Sequence, residues 1–171
     1  MIMADVLKIV LLIVGGMLIF QSHWLASHAL FPKAVERARD LYGQPIMLTV
    51  LGLMTAGPVV LLGVFLAQKG GNVPLKQFVA VTLFGLPMYL ALFGSAGLAL
   101  RVGEGLAGPA GEAAWRRTMR GGIVLTLTYL LPFAGWMFLT GWTLVSGVGA
   151  ALIILFRKAP VEAAKTETPE S

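Results

Sequence analysis

The sequence predicts an all-α fold: a polytopic helical membrane protein with three long spans and a C-terminal helical hairpin, about five membrane segments. Three observations carry this. Of the 171 residues, 57% are hydrophobic and 12% are charged, about half the ~25% charge of soluble domains. Uncharged runs recur at the ~20-residue length that a bilayer core of ~30 Å requires. The last run, residues 123–156, holds 34 residues without a charge. As one helix it would extend ~51 Å, too long for a single crossing, and Pro132, Gly135 and Trp136 near its middle provide a turn.

In chain order, a first span is expected at about 6–24, from Lys8 through IVLLIVGGMLIF to an interfacial Trp24. A cleaved signal peptide, with Ser27-His28-Ala29 as its site, is the rival reading. Asp5 is unusual in the leader of such a peptide and favours an uncleaved span. Residues 32–42 place Ala34, Val35, Ala38, Leu41 and Tyr42 at helical spacing after Pro32, which predicts a short helix on the membrane surface. Spans follow at 45–68 and 78–100, with central Pro58 and Pro87 expected to kink them. Residues 111–120 are expected to form a second surface helix. The integral domain covers 1–158, and 159–171, polar and without apolar pattern, read as a disordered tail.

Small residues recur at helix-packing spacing in the spans: Gly52 with Ala56, Gly94 with Gly97, and Gly147 with Ala151. Such pairs let backbones approach closely in lipid, within one chain or between copies. Trp115 with Arg116, Arg117 and Arg120 is the candidate contact for anionic headgroups or a partner.

Charge counting selects the hairpin. If the last run crosses once, lysine and arginine divide seven against six between the two sides. If it turns back, they divide ten against three. The positive-inside rule then puts the N-terminus outside and the C-terminus in the cytoplasm.

The chemistry available is limited. There is no cysteine, so thiol catalysis and thiolate metal sites are excluded. The carboxylates fall in connections and termini, which argues against an ion-coupled pump. His23 and His28 point about 140° apart on a helix and do not converge on a metal. The hydroxyls Thr126, Thr128, Thr140, Thr143 and Ser146 lack a neighbouring base, so a nucleophile is not expected. The Gly103–Gly111 glycines lack the lysine and strand of a phosphate loop. The expectation is therefore no enzyme, no cofactor, no metal and no nucleic acid; the net charge of +5 suits lipid headgroups instead.

Four stretches, LFPKAVERARDLYGQPIMLTVLGLMTAGPVVLL, TLFGLPMYLALF, LALRVGEGL and LPFAGWMFLTGWTLVSGVGAALIILF, together resemble the multi-pass membrane region of bacterial polymer-forming cytoskeletal (bactofilin-related) proteins. The last is the nearest, through Pro-x-x-Gly-Trp followed by a Gly-x-Gly-Ala helix. The resemblance implies a membrane module that anchors or organises assemblies. The sequence departs from that pattern in containing no repetitive β-rich segment, so filament formation would fall to a separate partner.

The favoured expectation is a non-enzymatic membrane scaffold or anchoring protein, with a membrane or cytoskeletal protein partner or self-association. The alternative is a passive channel or small-molecule transporter built from the kinked second and third spans and the hairpin. An enzyme acting at the lipid surface ranks third.

Overall fold

The structure is a computed structural model that describes residues 3–69, 74–109, 111–131 and 133–156. Among them every regular element is helical: α1 (Met3–Leu30), α2 (Pro32–Leu41), α3 (Pro45–Lys69), α4 (Pro74–Gly105), α5 (Ala114–Tyr129), a π-helical turn (Ala134–Leu139) and α6 (Thr140–Phe156). Among the described residues four helical stretches are long and apolar enough to cross a membrane, namely α1, α3, α4 and the π-turn joined to α6. By length and composition this is the architecture of a helical membrane protein.

Local chemistry sets most boundaries. Proline opens α2, α3 and α4, where its missing N–H would be unsatisfied anyway and its fixed φ suits a first turn. α1 runs past the expected end at Trp24 to Leu30 because nothing before Pro32 interrupts it. α3 and α4 continue through Pro58 and Pro87 without a break in helical assignment. α4 also exceeds its expected end by one turn. At 32 residues it is ~48 Å long, longer than a ~30 Å hydrocarbon core requires.

α4 is the centre of the bundle, with α1, α2, α3, α5 and α6 all packed against it. The helix directions follow from glycines at backbone-to-backbone contacts. Gly52 meets Val145 and Gly149 meets Leu48, so α3 and α6 are antiparallel; Gly94 meets Ala151 and Gly147 meets Ala91, so α4 and α6 are parallel. Gly103 against Arg117 and Gly121 against Ala99 make α4 and α5 antiparallel. The ends of α1, α4 and α6, and the start of α3 and α5, therefore gather with α2 at one end of the bundle.

Two expectations are revised here. Residues 111–120 do not form a separate surface helix. Gly111 has φ +78°, outside helical geometry, and α5 begins at Ala114 and runs unbroken to Tyr129. It thereby merges the surface segment with the first arm of the hairpin. Gly121 and Gly122 do not interrupt it, because both sit where α5 closes on α4 and on α1.

The hairpin itself is splayed. Leu130 caps α5 and Phe133 leads into the π-helical turn, while Pro132, the expected turn residue, lies outside the described residues. Each arm fits α4 better than it fits the other arm, so α4 separates them. They remain linked by a hydrogen bond from the Tyr129 hydroxyl to Thr143 Oγ1, 2.9 Å. Gly135 lies against the Thr128 carbonyl, where a side chain would not fit. Phe133 takes φ +62°, a strained value for a residue with a Cβ.

Candidate functional site

Two regions of the molecule have a built character. The first is the charged end. Glu104, on the last turn of α4, accepts from Arg39 Nη1 at 2.9 Å and from Arg117 Nη1 at 3.4 Å. Arg39 also reaches Asp40 at 2.7 Å, and Arg101 donates to the Arg39 carbonyl at 3.3 Å. Arg120 pairs with Glu112 and donates to the Ala107 carbonyl. One carboxylate thus joins α2, α4 and α5, and a second joins the α4–α5 connection to α5. The Arg39 guanidinium is held even more firmly protonated than usual, through its hydrogen bonds to Glu104 and then Asp40. A polar cleft of about 290 Å³ lies beside Glu104, Glu112, Arg117 and Arg120.

This arrangement divides the expected basic cluster. Arg117 and Arg120 turn inward to carboxylates of the same chain. Arg116 and Trp115 stay on the outside, with the guanidinium 5.3 Å from the indole centroid. An arginine with its charge balanced by glutamate is a weaker ligand for a headgroup than a free one. Arg116 and Trp115 are therefore the surface pair of the group.

Several polar side chains of the interior are tied to one another between helices. Trp24 Nε1 donates to Ser95 Oγ at 2.9 Å, Trp142 Nε1 donates to Thr49 Oγ1 at 3.0 Å, and His28 Nδ1 and Thr118 Oγ1 are hydrogen-bonded at 2.9 Å. Tyr42, just after α2, lies 3.4 Å from Ser146 Oγ, and its burial raises its pKa well above the usual phenol range. His23 packs edge-on to Tyr89. The two histidines thus face different neighbours.

The second region is an apolar cleft of about 650 Å³ between the middle of α1 and the α5–π-turn corner. Phe20 and Tyr129 form its inner end, and Phe133 and Trp136 its outer rim.

The expected packing glycines sit in the interior. Gly52 opens the α3–α6 contact, Gly94 and Gly147 the α4–α6 contact, and Gly97 lies against Ala38 of α2. Ala151 is fully buried and Ala56 half-buried. Gly147 and Ala151 are occupied by contacts within one chain, which leaves other surfaces for any self-association. Of the expected turn residues, Gly135 seats the turn on α5 and Trp136 is exposed.

Sequence reasoning missed Glu104, Arg39 and Glu112 as ionic partners. Arg39 and Glu104 are 65 positions apart, and nothing in their spacing marks them. The available signal was Glu104 placed just beyond an apolar run, where a carboxylate at a span end needs a partner.

No protein-family model matches the chain, and comparison with curated proteins and with solved structures finds no match.

Proposed function

We propose that this chain is a non-enzymatic scaffold or anchoring protein of a bacterial cytoplasmic membrane, with its N-terminus outside and its C-terminus in the cytoplasm. The observation that carries the reading is the charged end. α2, the end of α4 and the start of α5 meet there, and seven of the thirteen lysines and arginines of the chain belong to these segments and their connections. That concentration suits the cytoplasmic side. α5 carries Arg116, Arg117 and Arg120 in its first half, so only its uncharged part, residues 121–129, ~14 Å as helix, enters a ~30 Å core. On this reading the chain has five membrane segments, the fourth of them a short arm. The exposed Arg116–Trp115 pair and the basic α2 are the surface for anionic headgroups or a protein partner. The resemblance to the membrane region of bactofilin-related proteins points to a cytoskeletal partner, and it rests on the sequence alone.

The orientation is tested with single cysteines in this cysteine-free chain. A membrane-impermeant maleimide added outside intact cells should label Lys76→Cys and leave Arg116→Cys and Lys165→Cys unlabelled until the membrane is opened. Labelling of Lys165→Cys from outside would remove the five-pass arrangement. The scaffold role is tested by crosslinking in native membranes, where a stoichiometric protein partner is expected. Solute flux in proteoliposomes of the pure chain would favour a channel or transporter instead.

A further inference from the structure

We infer that the apolar cleft between α1 and the α5–π-turn corner holds one hydrocarbon chain of a phospholipid, with the lipid phosphate at Lys8. The inference rests on the chain being in a bilayer and is independent of the scaffold role.

The depth of the cleft supports a lipid. Its α1 wall, from Leu12 to Phe20, occupies the middle of a helix long and apolar enough to cross a membrane. Its rim is formed by exposed Phe133, Trp136 and Met137, so it opens sideways into hydrocarbon. Water gains nothing in such a site, and an empty cleft leaves its walls without dispersion partners.

The walls also offer no hydroxyl donor to a polar occupant. Three hydroxyls line the cleft, and each already donates within the protein: Thr126 to the Gly122 carbonyl at 2.9 Å, Tyr129 to Thr143 at 2.9 Å, and Thr140 to the Gly135 carbonyl at 3.2 Å. None of them is left with a proton for a solute. A docked helix from a second copy fits poorly too. Close helix association in lipid uses small residues on both faces, and here Leu131, Phe133, Trp136 and Met137 would hold the backbones apart. A flexible chain fills an irregular gap that a cylinder leaves open.

Lys8 gives the lipid its orientation. It lies four residues before Leu12, on the same face and one turn further out. Its side chain is 79% exposed, and its contact with Asp5 is long at 3.9 Å. A phosphate held by this ammonium would sit one turn outward of Leu12, from where an attached chain can run inward along the cleft.

Gly16 makes the test clean. It lines the cleft, and a Cβ built on it meets nothing within 4 Å, so the side chain of Gly16→Leu starts into open space and narrows the cleft. Gly57 is equally open on α3, away from the cleft, and Gly57→Leu serves as the control. The full chain is reconstituted in vesicles of equal phosphatidylglycerol and phosphatidylethanolamine, extracted in mild detergent, and weighed intact by native mass spectrometry. The expected result is one retained phospholipid on the wild type and on Gly57→Leu. Gly16→Leu should retain about tenfold less, ~1.4 kcal/mol, with a thermal midpoint no lower than that of the wild type. Lys8→Ala should retain less than wild type. Wild type without lipid, or equal retention by Gly16→Leu, would overturn the site, as would a dimer that Gly16→Leu dissociates. Full retention by Lys8→Ala would overturn the phosphate contact.

Discussion

Tyr129 and Thr143 show how single residues decide the interior. The Thr143 hydroxyl donates to the Leu139 carbonyl at 2.7 Å and accepts from Tyr129. Removing the two partners is therefore unequal. Tyr129→Phe leaves every remaining donor satisfied and should cost about 0.5–1.5 kcal/mol. Thr143→Val, close in shape, strands a buried phenol hydroxyl and should cost about 1–3 kcal/mol. Unfolding in detergent, followed by tryptophan fluorescence, measures both; equal losses would contradict the hydrogen-bond assignment. Glu104 acts in the same way on charge. Glu104→Gln leaves Arg39 and Arg117 without their shared anion, and because all three are partly exposed the loss should be about 1 kcal/mol and shrink with added salt. The sequence displayed each of these groups but not their pairing. Tyr129 and Thr143 belong to different helices, and Glu104 takes its cations from α2 and α5.

At the scale of helices, glycine is informative only where a neighbour's backbone fills the place of its side chain. Gly94 and Gly147 bring α4 and α6 into contact at such points, whereas Gly85 faces open space. Gly94→Ala should therefore cost more than about 2 kcal/mol, since two helices must part to admit one methyl group. Gly85→Ala should be neutral or gain up to about 1 kcal/mol from helix propensity. A thermal melt of both variants checks the contrast. The spacing of small residues did mark Gly52, Gly94 and Gly147 as packing positions in the sequence. It did not mark Gly103 or Gly121, which lie in or beside the polar connection but form the α4–α5 contact. The surface helix expected at 111–120 failed for a related reason. Arginines and Trp115 read as an interfacial helix, while the tertiary contact at Gly121 carries the same helix on into the apolar arm.

Among the described residues five helices are laid on α4, and this topology can be tested by a covalent link. A Cβ on Gly63 would lie 3.2 Å from the Leu83 Cβ, near the ~3.5–4.5 Å separation of a disulfide. Oxidised Gly63→Cys/Leu83→Cys should therefore migrate as an intramolecular disulfide, and Gly57→Cys/Leu83→Cys should not; non-reducing electrophoresis reads the difference. Absence of the link in the first variant would break the antiparallel α3–α4 arrangement.

What the sequence determined alone is the helical, bilayer-length character of the chain and the approximate place of each long apolar helix. Both follow from hydropathy and proline position, which are sums over neighbouring residues. The tertiary structure decided that α4 separates the two arms of the last hairpin, that Glu104 gathers arginines from two other helices, and that a cleft remains beside α1. These depend on which helix fits which. In lipid that choice turns on close packing and a few hydrogen bonds between distant residues, because apolar surface is nearly as well solvated by acyl chains as by another helix.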